Sequence, residues 1–111
     1  MADPLTPAVF HILLALAGTR LHGYAISKEI LRQTDGQVRM GPGTLYGTLR
    51  RLLDLSWVEV SESPEDADER RRYYRLTGLG KRALQAEVHR MDALVRAARN
   101  ARIRIPPPRA T

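Results

Sequence analysis

Apolar residues recur at helical spacing near the start of the chain, where Val9, Ile12, Leu13 and Leu16 share one face of a helical repeat. Thr6 stands ahead of this run as a side-chain cap, and Pro7 fits the first helical position, where its missing N–H costs nothing. Leu5 before the cap and Phe10 in the first turn predict a hydrophobic staple, and Gly18 predicts the close of the helix. A second helix is predicted from Gly23 to Thr34, with Ile26, Ile30 and Leu31 inward and Gly36 as its stop. Val38-Arg39-Met40 alternates and reads as a short strand. Gly41-Pro42-Gly43 leads into a third helix that ends near Ser56 and carries Leu45, Leu49 and Leu52 on one face.

The pattern then changes period. Trp57-Val58-Glu59-Val60 and Arg72-Tyr73-Tyr74-Arg75-Leu76 are aromatic and β-branched runs around a polar connection. They predict a two-stranded hairpin that turns Val58, Val60, Tyr74 and Leu76 toward the helices. Thr77 caps a last helix running to about Ala101, after which Pro106-Pro107-Pro108 forbids further helix. The fold class is therefore mainly α with a small β-hairpin: a winged helix-turn-helix domain over residues 5–76 plus a C-terminal dimerisation helix over 77–101. A basic, proline-rich tail over 102–111 is expected to be disordered. The dimerisation reading rests on Leu84, Val88, Met91, Val95 and Ala98, whose 4-3-4-3 spacing is that of a short coiled-coil seam. The competing reading is a stripe packed back on its own domain.

Charge sharpens the picture. The 111 residues carry a formal net charge of +6, which favours a polyanionic partner. Glu62, Glu65, Asp66, Asp68 and Glu69 concentrate acid in the hairpin connection, so the rest of the chain is more basic still. All the basic residues except Lys28 and Lys81 are arginine, which suits phosphate and guanine recognition but equally reflects a GC-rich genome. Advancing about 100° per residue along the third helix separates its leucines from Gly43, Thr44, Gly47, Arg50 and Arg51. That outer face is small at its start and cationic further on, with Tyr46 and Thr48 at its flanks as hydrogen-bond donors to phosphate. Arg70, Arg71 and Arg72 give the returning strand a second cationic patch, placed to neutralise DNA phosphates.

The same residues resemble a known family. Leu21-His22-Gly23-Tyr24-Ala25-Ile26, then Gly41-Pro42-Gly43-Thr44-Leu45-Tyr46 with Leu49 and Arg51-Leu52, then Arg71-Arg72-Tyr73-Tyr74-Arg75-Leu76-Thr77 with Gly80, are similar to the PadR family of transcriptional regulators. Three such blocks in order, covering about residues 5 to 100, are specific where each alone is weak. The resemblance implies a homodimer, usually a repressor, on an inverted-repeat operator with ATGT/ACAT-like half-sites. It also implies that Thr44, Tyr46 and their neighbours contact DNA with help from the wing arginines. With a single C-terminal helix the chain resembles the short-tailed branch of the family. No tryptophan lies between Leu79 and Ile105, so the resemblance does not extend to a drug-stacking platform on that helix. Phe10, Leu14, Met91 and Leu94 are the candidate lining for a small-molecule effector pocket.

Other classes fit less well. His11, His22 and His89 form no metal-ligand or catalytic spacing, and Glu87 and His89 point apart on their helix, so no enzyme and no cofactor is expected. The chain has no cysteine, and no apolar run approaches the roughly 20 residues of a membrane span. Its start lacks a secretory signal, and a cytoplasmic protein is expected. The expected partners are double-stranded DNA, a second copy and an effector. The alternative function is a winged-helix protein-interaction module without specific DNA binding.

Overall fold

The computed structural model describes residues 3–63 and 71–107. In chain order these form α1 (Pro7–Ala15), β1 (Leu21–His22), α2 (Gly23–Gln33), α3 (Pro42–Asp54), β2 (Val58–Ser61), β3 (Tyr73–Leu76) and α4 (Gly78–Asn100). Thr6 caps α1 by accepting the Val9 N–H, with Pro7 in the first turn, and Thr77 caps α4 by accepting the Gly80 N–H at 3.1 Å. The first helix ends at Ala15, ahead of Gly18, and α3 ends at Asp54 with Leu55 as its cap, next to Ser56 as expected. Behind α3, Ser56 takes a left-handed φ of 59°, which turns the chain directly into the wing.

The sheet has three strands in the order β1-β3-β2, all antiparallel. The hairpin is present, and the two-residue β1 adds to its β3 edge by pairing Leu21 with Tyr74 and His22 with Tyr73. So short a strand has no period to read in the sequence. Val38-Arg39-Met40, in contrast, is not a strand. The Val38 N–H goes to the Thr34 hydroxyl at 3.0 Å, which ties this segment to the end of α2. Val38 and Met40 pack on the core from an irregular loop.

Ile12, Leu13 and Leu16 of the α1 segment meet Ile26 and Ile30 of α2 and Leu45, Leu49 and Leu52 of α3. Val58, Tyr74 and Leu76 close this core from the sheet. Val60 does not join them. It pairs with Tyr74 on the open-edge strand β2, but the helical cover reaches Val58 and stops short, leaving Val60 50 % exposed. The core is completed by Leu84 of α4. Gly80 lets α4 start hard against the wing, since a Cβ there would lie 2.0 Å from the Trp57 carbonyl oxygen.

Glu87 fixes the same helix from its other side. Its carboxylate is only 4 % exposed, accepts the Leu5 N–H at 3.2 Å and takes two bonds from Arg90 at 2.8 Å each. The Arg90 bonds hold its pKa below the ordinary carboxylate range against the opposing effect of burial, and the Leu5 N–H adds to them. Beyond Glu87 the helix leaves the domain, and Val88, Leu94 and Val95 are exposed. Residues 103–107 have no regular secondary structure, and the remainder of the tail lies outside the described residues.

Candidate nucleic-acid interface

The third helix presents the face its sequence predicts, with one exception. Gly43, Thr44, Tyr46, Gly47, Arg50 and Arg51 are exposed, opposite the buried Leu45, Leu49 and Leu52. Thr48 is buried at 9 %. Its position on the helix lies within about 60° of Leu45, inside the packed sector, so its hydroxyl is withdrawn from the outer surface. The two arginines also part company. Arg51 lines a hollow of about 850 Å³ together with Leu5, Leu55, Trp57 and Leu79, on the flank facing the starts of α1 and α4. Arg50 takes no part in that lining.

On the opposite flank, Tyr46 reaches back to the start of α2. A Cβ on Gly23 would sit 2.3 Å from the Tyr46 hydroxyl, so glycine is what allows the ring to lie there. Tyr46, His22, Gly23, Tyr74, Arg71 and Arg72 surround one hollow of about 440 Å³. The third helix and the wing therefore meet at a common surface through β1 and the first turn of α2. Arg71 and Arg72 are both exposed. Arg70 and the acidic residues Glu65, Asp66, Asp68 and Glu69 lie outside the described residues. Arg75 turns away and pairs with Glu59 across the hairpin at 2.7 Å.

His22 also borders this hollow, a placement that the sequence analysis did not anticipate. Its Nδ1 accepts the Ala25 N–H at 3.2 Å and so caps α2. Its ring meets Tyr73 edge-on at 5.3 Å and stacks with Tyr24 at 6.5 Å. Nε2 lies 3.4 Å from Nη1 of Arg71. Burial, and then the nearby Arg71 charge, lower its pKa below the usual histidine value of 6.5. The Leu21-His22-Gly23-Tyr24 block carried the only sequence signal, as part of a family resemblance.

The predicted seam divides. Leu84 is core of its own domain, Met91 and Ala98 are half-buried, and Val88 and Val95 are exposed. The four candidate effector residues do not come together around the hollow that Leu14 lines. Leu14 borders a hollow of about 760 Å³ between the end of α1 and α2, and Phe10, Met91 and Leu94 lie outside its lining. Among the described residues no group of three metal-ligating side chains converges, and no helix is long and apolar enough to cross a membrane.

Comparison with known proteins gives this surface its context. The model of the transcriptional regulator PadR-like family matches residues 12–86. A 37.1 kDa protein of a Streptomyces fradiae transposon is 42 % identical over 83 residues, which are 75 % of this chain and 22 % of that protein. The chain thus spans about a fifth of that relative. The transcriptional regulator Rv3488 of Mycobacterium tuberculosis is 36 % identical over 86 residues, 78 % of this chain and 77 % of that one. Among solved structures, a transcriptional regulator from Clostridium thermocellum superposes with a TM-score of 0.71 at 27 % identity, covering 87 % of this chain and 90 % of that one. Bacillus subtilis PadR, solved in complex with operator DNA, shares the fold with a TM-score of 0.64 at 21 % identity, over 98 % of this chain and 54 % of that one. With the family model matching residues 12–86, well over half of the sequence, this chain belongs to the transcriptional regulator PadR-like family.

Proposed function

We propose that the protein is a repressor that binds an inverted-repeat operator as a homodimer and is released by a small-molecule effector. The observation that carries the DNA reading is the meeting of Tyr46 with Arg71 and Arg72 around one hollow, beside the exposed outer face of α3. A helix whose first turn is small and whose outer face is cationic suits the major groove, with the wing arginines along the adjoining phosphates. The Bacillus subtilis neighbour was solved with operator DNA, which supports the same use of this fold. Arg50, on the outward face, is the better base reader, and Arg51 serves the flank beside Trp57.

Pairing through Val88, Met91, Val95 and Ala98 supplies two reading heads. Half-sites should then be centred about one helical turn apart, or a multiple of it. An effector pocket made from Phe10, Leu14, Met91 and Leu94 requires the second copy to complete it. The test is a fluorescence-anisotropy titration of an inverted repeat taken from the region upstream of the protein's own gene, across a salt series. Affinity should fall steeply with salt. Arg50→Ala should cost about 1–3 kcal/mol and relax the preference at one position, whereas Arg71→Ala should weaken all sequences alike and lower the salt slope by about 1. An absence of specific, salt-sensitive binding would hand the function to the interaction-module reading.

A further inference from the structure

We propose that His22 is itself a DNA ligand: its Nε2–H shares one backbone phosphate with the Arg71 guanidinium and the Tyr46 hydroxyl, so that wing and recognition helix grip the same phosphate. This rests on the DNA-binding reading above and adds a residue, a ligand atom and a coupling to it.

Donors and acceptors around the imidazole decide where its proton sits. A neutral imidazole carries one N–H and one bare nitrogen, and arginine only donates. Nδ1 of His22 accepts the Ala25 N–H, and Arg71 Nη1 stands 3.4 Å from Nε2. A single neutral ring cannot accept at both nitrogens. The two claims are unequal, because the Ala25 N–H is fixed in the first turn of α2, whereas Arg71 is a long, exposed side chain. Reversing the tautomer would aim an Nδ1–H at the Ala25 N–H and leave that backbone donor orphaned. The cap therefore keeps Nδ1 bare and puts the proton on Nε2.

Two N–H donors then face each other across a gap shorter than either would choose alone. An acceptor with several lone pairs and a negative charge satisfies both, which describes a phosphate oxygen. Their surroundings agree. The hollow beside them holds Tyr46, Gly23, Arg72 and Tyr74, and no carboxylate among the described residues lines it. The Tyr46 hydroxyl lies over Gly23, the residue next to His22, and so borders the same space. At about 440 Å³ the hollow admits a phosphodiester oxygen without moving the backbone.

The experiment measures operator affinity of the full chain at pH 8, where His22 is neutral, over a salt series. His22→Asn keeps a side-chain cap for α2 but offers no N–H at the Nε2 position. It should weaken binding about tenfold with the salt slope unchanged, because a neutral donor releases no counterion. The thermal midpoint should stay that of the parent. Arg71→Ala should lower both affinity and slope, and the double variant should lose clearly less than the product of the two losses. A second arm needs no protein variant. Methylphosphonate placed at each backbone position in turn should find one phosphate per half-site whose neutralisation weakens the parent most, weakens His22→Asn and Tyr46→Phe less, and affects Arg71→Ala least. Parent-like binding by His22→Asn, or losses that multiply independently, overturns the shared phosphate while leaving DNA binding intact. A parent chain that fails to bind any duplex overturns the wider reading instead, and the wild-type titration alone reveals it.

Discussion

The two halves of α4 are one uninterrupted helix with opposite fates. In the first half, Gly80, Leu84 and Glu87 are buried in the protein's own domain, against the wing, the core and the N-terminal segment. In the second, Val88, Leu94 and Val95 face solvent, and the Asp92–Arg96 pair at 3.3 Å lies on the surface. The apolar stripe runs through both without a break. Periodicity therefore reports that a face will be covered, but not by what. The boundary falls within one turn, between Leu84 and Val88.

Substitutions on either side of that boundary should behave differently. The largest effect is expected at Leu84, where truncation to alanine opens a cavity in the single core and should cost about 2–5 kcal/mol in chemical denaturation. Val88→Asp, four residues later, should leave the winged domain folded. It should convert the proposed dimer to monomer in light scattering and weaken operator binding about 10²–10⁴-fold through lost effective concentration. An unchanged dimer in that variant would remove α4 as the interface.

A smaller effect concerns the boundary residue itself. Because the Glu87 pKa is lowered on folding, its contribution is complete above the ordinary carboxylate range and is lost as pH falls through its folded value. Glu87→Gln should accordingly flatten the acid limb of the stability curve and leave the neutral limb parallel to the parent. His22 acts with the opposite sign from a raised histidine. With a lowered folded pKa, the unfolded chain binds the extra proton, so stability should decline as pH drops below about 6.5, and His22→Asn should remove that decline. The smallest effect is at Val60. Replacing it with threonine on the open edge should change stability by less than about 0.5 kcal/mol, because its side chain is already half in water.

Much of this molecule is written locally. Thr6-Pro7, Thr77 and the leucines of α3 each declare their role within one or two turns of sequence, and the structure places them accordingly. What escaped was set by partners distant in the chain or by unusual chemistry. The boundary of the helical cover decides that Val58 is buried and Val60 exposed, although both sit on the same face of β2. Thr48 was placed by residue type on a flank, whereas angle alone puts it beside the core. His22 caps a helix with a ring nitrogen instead of the usual short oxygen side chain, so capping rules pass over it. Glu87 was weighed against His89, its near neighbour, while its true backbone partner, Leu5, is 82 residues away.

That long bond has a consequence in time. Leu5 is made 82 residues ahead of Glu87 and finds its carboxylate only after everything between them exists. Three helices and the wing must persist meanwhile with one wall of their core unfilled, because Leu84 also arrives late. The ribosome delivers the closing half of α4 first and its solvent-facing apolar half immediately afterwards. The residues of α4 that close the core thus precede, along one helix, those that carry the exposed apolar stripe, so the last wall of the interior is made before the surface that a second copy would cover.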